Sequence, residues 1–281
     1  QISVHAAVAA KWGSGSKDQK IELLPSCNDD YGGITVDMKE PMDTMKFSNL
    51  LKASLSQWAQ QGKKGIWIKL PVDLVNHVEV AVKEGFRYHH AEPDYLMLVF
   101  WIPKTDNTLP KYASHRVGIG GIVMNGKKEI LVVQEKSGKF GGTGVWKIPT
   151  GVVEEGEDIS TAAIREVKEE TGIDTEFVEI LAFRQSHKSF FGKSDLFFLC
   201  MLHPVSFNIQ KQELEIEAAQ WMPFEEFASQ DIVQKQKVFK YIVDICKAKV
   251  DGNYAGFSPQ QISSSFGDRS SSCYLNCRDL M

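Results

Sequence analysis

The chain has 281 residues, 43% of them hydrophobic and 24% charged, with a formal net charge of −4. This is enough apolar material for two ordinary domains. The weakly acidic balance argues against broad electrostatic capture of nucleic acid or of an anionic membrane, so the expected partner is a small molecule.

Residues 1–30 are small, polar and charged, with GSGSKDQK at Gly13–Lys20, and read as a flexible lead-in. Order is expected from Tyr31. Ile34–Met38 alternates like a strand, and Phe47, Leu50, Leu51, Leu55 and Trp58 recur at helical spacing over Thr44–Gln61 until Gly62 stops them. Lys64–Leu70 reads as a strand, Leu74–Glu84 as a second helix ended by Gly85, and Tyr95–Ile102 (YLMLVFWI) as a continuous apolar strand. This β-α-β-α-β order predicts a small α/β domain over residues 31–103 with no Gly-rich phosphate loop. His89 and His90 adjoin one another. Neighbours on a strand point to opposite faces, which favours a structural role over a catalytic or metal pair.

Pro103–Pro110 (PKTDNTLP) has turn formers and no periodicity, so residues 104–113 read as a linker and residues 114–250 as a second domain. Val117–Met124 opens it as a strand. Asn125-Gly126 turns the chain into a further strand over Glu129–Gln134, where a nucleotide-binding glycine loop would need a helix. A glycine-rich loop, Lys136–Gly144, precedes Trp146–Thr150 (WKIPT). Strands are expected at Phe177–Gln185, Ser194–Leu202 and Gln220–Phe224, a short helix from Glu225, and a closing helix over Ile232–Ala248. Residues 251–281 are rich in Ser and Gly and are expected to be disordered. No apolar run approaches the ~20 residues of a membrane span. Cys27, Cys200, Cys246, Cys273 and Cys277 are scattered with no CxxC pair, which points to free thiols in a reducing, cytoplasmic compartment. The chain opens on Gln1 rather than Met, which leaves room for a removed targeting segment.

The most informative stretch is Gly151–Ile173, GVVEEGEDISTAAIREVKEETGI. Ile159, Ala163 and Val167 recur at intervals of four with no Gly or Pro between Ile159 and Thr171, which predicts an amphipathic helix. Asp158 or Ser160 can cap its start and Gly172 its end. Glu166, Glu169 and Glu170 then share one face. Like charges at i, i+3 and i+4 repel by a few tenths of a kcal/mol per pair. Arg165 can offset one of them through Glu169 or through Glu157, and the remaining oxygens suit a hard divalent cation, Mg²⁺ or Mn²⁺.

With glycine, glutamate, arginine and aliphatic residues at the spacing G-x5-E-x7-R-E-U-x-E-E-x-G-U, the stretch resembles the signature of the Nudix hydrolases at every specified position. The resemblance implies an α/β/α sandwich and a metal-dependent pyrophosphohydrolase of nucleoside diphosphates linked to another group. It also implies that Gly151, through its carbonyl, and Glu166, Glu169 and Glu170 are metal ligands, and that Arg165 and Glu157 form a structural ion pair. In the front domain, Lys83–Tyr95 (KEGFRYHHAEPDY) looks like the last part of an acetyltransferase-type fold without its cofactor loop. The expectation there is the shape without the activity, and a role in self-association as a homodimer. Taken with LAFRQSHK and EIEAAQWMP, this front domain resembles that of the plant Nudix hydrolases acting on ADP-ribose and NADH, which implies cleavage to AMP plus a phosphorylated remainder.

Glu169 belongs to the expected catalytic set, and Glu170 and Glu215 are both candidates for the base that deprotonates the attacking water. Arg184, His187 and Lys188 can clamp phosphates or line a ribose site, and Phe140 and Phe190 can stack an adenine. A different diphosphate (coenzyme A, a prenyl diphosphate or a capped nucleotide) is the alternative substrate, because loops set Nudix specificity. A non-catalytic nucleotide- or partner-binding module is the alternative of another class. The intact carboxylates favour the enzyme.

Overall fold

The computed structural model describes residues 22–263 and 270–280, and its internal contacts divide the chain into a unit ending at Tyr112 and one beginning at Ala113. In the first unit the elements are β1 (Cys27–Asn28), β2 (Ile34–Asp37), α1 (Thr44–Gln60), β3 (Gly65–Pro71), a 3-10 turn (Val72–His77), α2 (Val78–Lys83), β4 (Arg87–Glu92) and β5 (Tyr95–Trp101). They make one sheet in the order β1-β2-β3-β5-β4, parallel only between β2 and β3. α1 starts where expected because Asp43 accepts hydrogen bonds from the N–H groups of Met45 and Lys46 at 2.9 and 3.1 Å. Its periodic face supplies Phe47 and Leu51, fully buried against Val36, Ile66, Ile68 and Leu98 of the sheet.

Four expectations for this unit are corrected. The ordered core begins before Tyr31: Leu24 is buried in it and its N–H donates to Ser54 Oγ at 2.9 Å, while residues 1–21 of the expected lead-in lie outside the described residues. The element order gains two strands, β1 and β4. The helix expected over Leu74–Glu84 is split, with Leu74 off helical geometry at φ −107°, in a segment whose repeated valines disfavour a helix. His89 and His90 do not point apart. A bulge between Tyr88 and His90 shifts the register of β4 against β5, and the two Nδ1 atoms lie 2.7 Å from each other.

The second unit comprises β6 (His115–Val123), β7 (Glu129–Glu135), β8 (Thr150–Val152), α3 (Ile159–Thr171), β9 (Thr175–Ser186), a 3-10 turn (Phe190–Gly192), β10 (Ser194–Pro204), β11 (Ile216–Pro223), α4 (Phe224–Ser229), α5 (Asp231–Lys235), α6 (Lys237–Val250), β12 (Ser258–Ser263) and β13 (Ser270–Leu275). Four strands pair in the order β8-β6-β10-β9, with β6 and β10 parallel, and β11 pairs with β7. Alternation along the strands divides the core in two. Ile119, Val123, Cys200 and Leu202 pack with Ala162, Ala163 and Val167 of α3. Ile122, Ile148, Leu181 and Leu199 pack with Phe227 of α4 and Val243 and Cys246 of α6. The strands therefore lie between α3 on one face and α4–α6 on the other, an α/β/α arrangement. All five cysteines are free.

The closing helix is broken rather than continuous, because Gln236 is extended (φ −113°, ψ 117°) between α5 and α6. The tail expected to be disordered contains the antiparallel pair β12–β13, with residues 264–269 and 281 outside the described residues. Scattered aromatics hold this segment to the unit. Phe257 exchanges backbone hydrogen bonds with Ile180, and the Tyr254 hydroxyl donates to the Leu181 carbonyl. The Tyr274 hydroxyl accepts the N–H of Ser160 in the first turn of α3 at 3.2 Å. Asp158, at the N-cap position, makes no side-chain capping bond and instead accepts from Ser272 Oγ at 3.0 Å.

Tyr274→Phe deletes the hydroxyl that takes up this N–H and leaves the ring in place. Urea denaturation is expected to show a loss of about 1 kcal/mol, the usual value of one capping hydrogen bond; an unchanged midpoint would exclude a capping role for the tail.

Candidate active site

α3 runs over the residues its periodicity predicts, from Ile159 to Thr171. Gly172 closes it at φ +74°, a left-handed conformation that glycine adopts without strain. With Ala162, Ala163 and Val167 fully buried, the opposite face presents Arg165, Glu166, Glu169 and Glu170.

Arg165 organises this face. Its Nε and Nη2 donate to the two oxygens of Glu157, both at 2.8 Å. Nη1 donates to Glu166 Oε1 at 2.8 Å and to Glu169 Oε2 at 3.2 Å, and Nη2 also donates to the Val152 carbonyl at 2.9 Å. These five bonds match the five N–H groups of a guanidinium. The sequence left open whether Arg165 reaches Glu157 or Glu169, and it reaches both. The bidentate pair holds the Glu157 carboxyl below the usual carboxylate range, chiefly through the hydrogen bonds from Arg165.

Glu166 lies against the end of β8, where its Oε1 also accepts the Val152 N–H at 3.2 Å. A Cβ built on Gly151 would sit 1.8 Å from the Glu166 carboxyl carbon, so any side chain there would displace this carboxylate from its place. Glu170 stands apart from the arginine. It is largely buried, and its Oε2 has no hydrogen-bond partner among the described residues. Burial pushes its pKa up to about 8, opposed by the charge of Lys147 and reinforced by that of Glu166.

Among the described residues no three His, Cys, Asp or Glu side chains converge as a ready metal-ligand set. Arg165 Nη1 occupies one oxygen of Glu166 and one of Glu169. The donor set nevertheless fits a hard divalent cation. Its donors are carboxylate oxygens on one helix face, and a buried, unpaired carboxylate oxygen is the group whose cost such a cation would relieve.

A cavity of about 580 Å³ opens in the same unit, within the range of small-ligand sites. Phe140 and Arg184 line it, as expected for substrate-binding residues. Phe140 packs edge-on against Phe239 of α6, with ring centroids 6.3 Å apart, and the Arg184 guanidinium lies 5.6 Å from the Phe197 ring centre. The structure does not bring the other three expected substrate residues into this lining. His187 bonds Ser194 Oγ at 2.9 Å, Phe190 lies under Arg116 at 5.0 Å, and Lys188 sits in a left-handed turn at φ +56°. They fold into a local turn between β9 and β10 rather than inward. Glu215 is exposed and also outside the lining, with its N–H on Gln212 Oε1 and its carbonyl accepting from the Lys136 N–H.

Sequence reasoning passed over Lys147 and Glu135. Lys147 is buried, and its Nζ lies 2.6 Å from both Glu135 Oε1 and Thr150 Oγ1. All three residues line the cavity. The available signal was one lysine set between Trp146 and Ile148, which alternation alone assigns to solvent.

Helix-borne carboxylates and a nucleotide-sized cavity in one unit are parts that metal-assisted hydrolysis of a phosphate anhydride would use. Comparisons agree on the class: residues 114–241 match the family described as NUDIX domain, and residues 24–102 that described as Nudix hydrolase domain. The chain is 60% identical to Nudix hydrolase 2 of Arabidopsis thaliana over 94% of this chain and 95% of that one. It is 59% identical to Nudix hydrolase 10 of the same plant over 95% of each. Nucleoside diphosphate-linked moiety X motif 6 of Homo sapiens is 37% identical over 78% of this chain and 72% of its own. A solved NUDIX hydrolase from Nitrosomonas europaea is similar to 61% of the chain and 90% of its own, with a TM-score of 0.41 at 19% identity. The chain belongs to the Nudix hydrolase family, and it is a pyrophosphohydrolase of nucleoside diphosphate derivatives, a class that uses divalent cations.

The sign of the Glu170 shift gives a test. A carboxyl raised on folding from 4.5 to about 8 favours the folded state while protonated, and that contribution is lost as pH rises from the unfolded value through the folded one. In EDTA, Glu170→Gln is therefore expected to match the parent near pH 4 and to melt several degrees above it near pH 9. A lower melting temperature for the variant at the alkaline end would show that the carboxylate is not buried at a cost.

Proposed function

We propose that this enzyme hydrolyses ADP-ribose or NADH at the pyrophosphate, with Mg²⁺ or Mn²⁺, to give AMP and the phosphorylated remainder. The observation that carries the reading is the adjacency of two features. One is the carboxylate face of α3, with the unpaired Glu170 Oε2. The other is the aromatic cavity that shares Lys147 and Thr150 with the surroundings of Glu170. A nucleoside supplies a flat apolar base for the cavity and places the diphosphate at its polar end. The choice of ADP-ribose and NADH among such compounds is supported by the resemblance of FRQSHK and the front domain to the plant enzymes acting on them.

Glu166, Glu169 and Glu170, with the Gly151 carbonyl, would hold the cation, which when bound offsets phosphate charge and makes water more acidic. Arg165 keeps Glu157, Glu166 and Glu169 from repelling one another and fixes the helix to the strand through the Val152 carbonyl. Glu170 Oε2 takes the proton of the attacking water. A new P–O bond forms, the bridging P–O bond breaks, and the departing phosphate carries the electron pair.

Glu169→Gln is expected to lower kcat at least a hundredfold while the protein stays folded, because the change removes charge at an exposed position rather than core. Most of the activity surviving in this variant would remove Glu169 from the site. The substrate is tested by kcat/KM at fixed Mg²⁺ over ADP-ribose, NADH, coenzyme A, a prenyl diphosphate and a capped nucleotide, each repeated after chelation. ADP-ribose and NADH both falling more than about a hundredfold below another member would overturn the assignment and leave the reaction class standing.

The homodimer proposed for the front unit rests on its apolar β5 and on β4 as a sheet edge. Light scattering is expected to give twice the chain mass for the whole protein, and a monomer would remove the proposal.

A further inference from the structure

Besides setting its charge against Glu170, Lys147 pairs in the cavity wall with Glu135, and the site chemistry above assigns that pair no contact with substrate. Lys147 and Glu135 meet at 2.6 Å with side chains 9% and 29% exposed, in a lining otherwise made largely of residues such as Phe140, Ile148 and Leu199. Taking an ammonium and a carboxylate out of water is costly, and well-packed apolar residues in their place are often as stable or more so, so stability alone does not account for a pair here. Nor does the pair exhaust its bonding capacity. Lys147 Nζ donates to Thr150 Oγ1 and pairs by charge with Glu135 Oε1, which leaves it donors to spare, and Glu135 Oε2 lies outside that ion pair.

An adjacent donor and acceptor, fixed in an apolar wall, recognise a ligand that carries an acceptor and a donor side by side. A phosphate oxygen next to a sugar hydroxyl has that chemistry. Prenyl diphosphates carry the phosphate and lack the hydroxyl. We propose that Lys147 and Glu135 are substrate-binding residues that select diphosphates joined to a sugar, Lys147 donating to a phosphate oxygen and Glu135 Oε2 accepting from a hydroxyl of the attached ribose. The inference rests on the reading of the site as a nucleoside diphosphate hydrolase and names two side chains that recognise the phosphate and its ribose there.

Steady-state kinetics with Mg²⁺ test it, with ADP-ribose as substrate and geranyl diphosphate as competitor. Glu135→Gln keeps the shape and weakens the acceptor. It is expected to raise KM for ADP-ribose about tenfold with kcat within threefold, and to leave Ki for geranyl diphosphate within twofold. Glu135→Leu/Lys147→Met replaces the pair by apolar residues of similar volume; it is expected to stay folded, as thermal melting will show, and to weaken both ligands at least fivefold. A KM within twofold of the parent in both variants, or KM and Ki rising in parallel in Glu135→Gln, overturns the inference while the hydrolase reading stands. A parent enzyme that turns over no sugar-bearing diphosphate overturns both.

Discussion

The active-site face depends on one guanidinium. Three glutamates at i, i+3 and i+4 and a fourth in the preceding loop would repel one another, and Arg165 meets three of these four, with two hydrogen bonds to Glu157 and one each to Glu166 and Glu169. Because the same guanidinium also binds the Val152 carbonyl, it fixes the order of strand, loop and helix as well as the charge. Glycine at position 151 leaves room for the Glu166 carboxyl, which occupies the space a side chain would take. Glu170 is the member left out, and Lys147 is the cation set against it.

This division gives the site two opposite responses to pH. Glu157 has a lowered pKa, so its contribution to stability is present above the unfolded carboxylate value and is lost as pH falls through the folded one. Glu170 has a raised pKa, and in the metal-free protein it costs stability as pH rises. One carboxylate is a fastening and the other a stored cost. Binding of a divalent cation near Glu170 would relieve that cost, which ties metal affinity to deprotonation of a single buried group.

The parts legible in the sequence were those governed by local rules. The bounds of α3, its left-handed terminus at Gly172 and the strands flanking the signature follow from period, capping and turn chemistry within a few residues. The misses have distant causes. A period of two cannot reveal the extra residue that bulges β4 and turns His89 onto His90. The tail is polar enough to read as disorder, yet Tyr254, Phe257 and Tyr274 fasten it to β9 and α3, and three aromatics spread over twenty-one positions leave no periodic trace. Nothing at Gln236 announces the break before α6, since neither Gly nor Pro is there. His187, Lys188 and Phe190 have the chemistry of a binding loop, although composition cannot say whether a loop turns toward a cavity or back on itself.

The same contrast separates what this protein does from what it acts on. The groups proposed for hydrolysis lie within one contiguous run, Gly151–Gly172, where spacing alone fixes which side chains share a face. The cavity draws on β7, β9, β10 and α6, with lining residues from Glu135 to Ile245, so its shape is a tertiary product. Its charged pair joins Glu135, at the end of β7, to Lys147, ahead of β8, across a loop that no periodicity spans. A reaction class carried by one helix survives changes in the surrounding strands and loops, while substrate choice shifts with each of them. Substrate recognition is therefore to be sought in polar side chains that the fold turns into the cavity wall, and Lys147 and Glu135 meet that description.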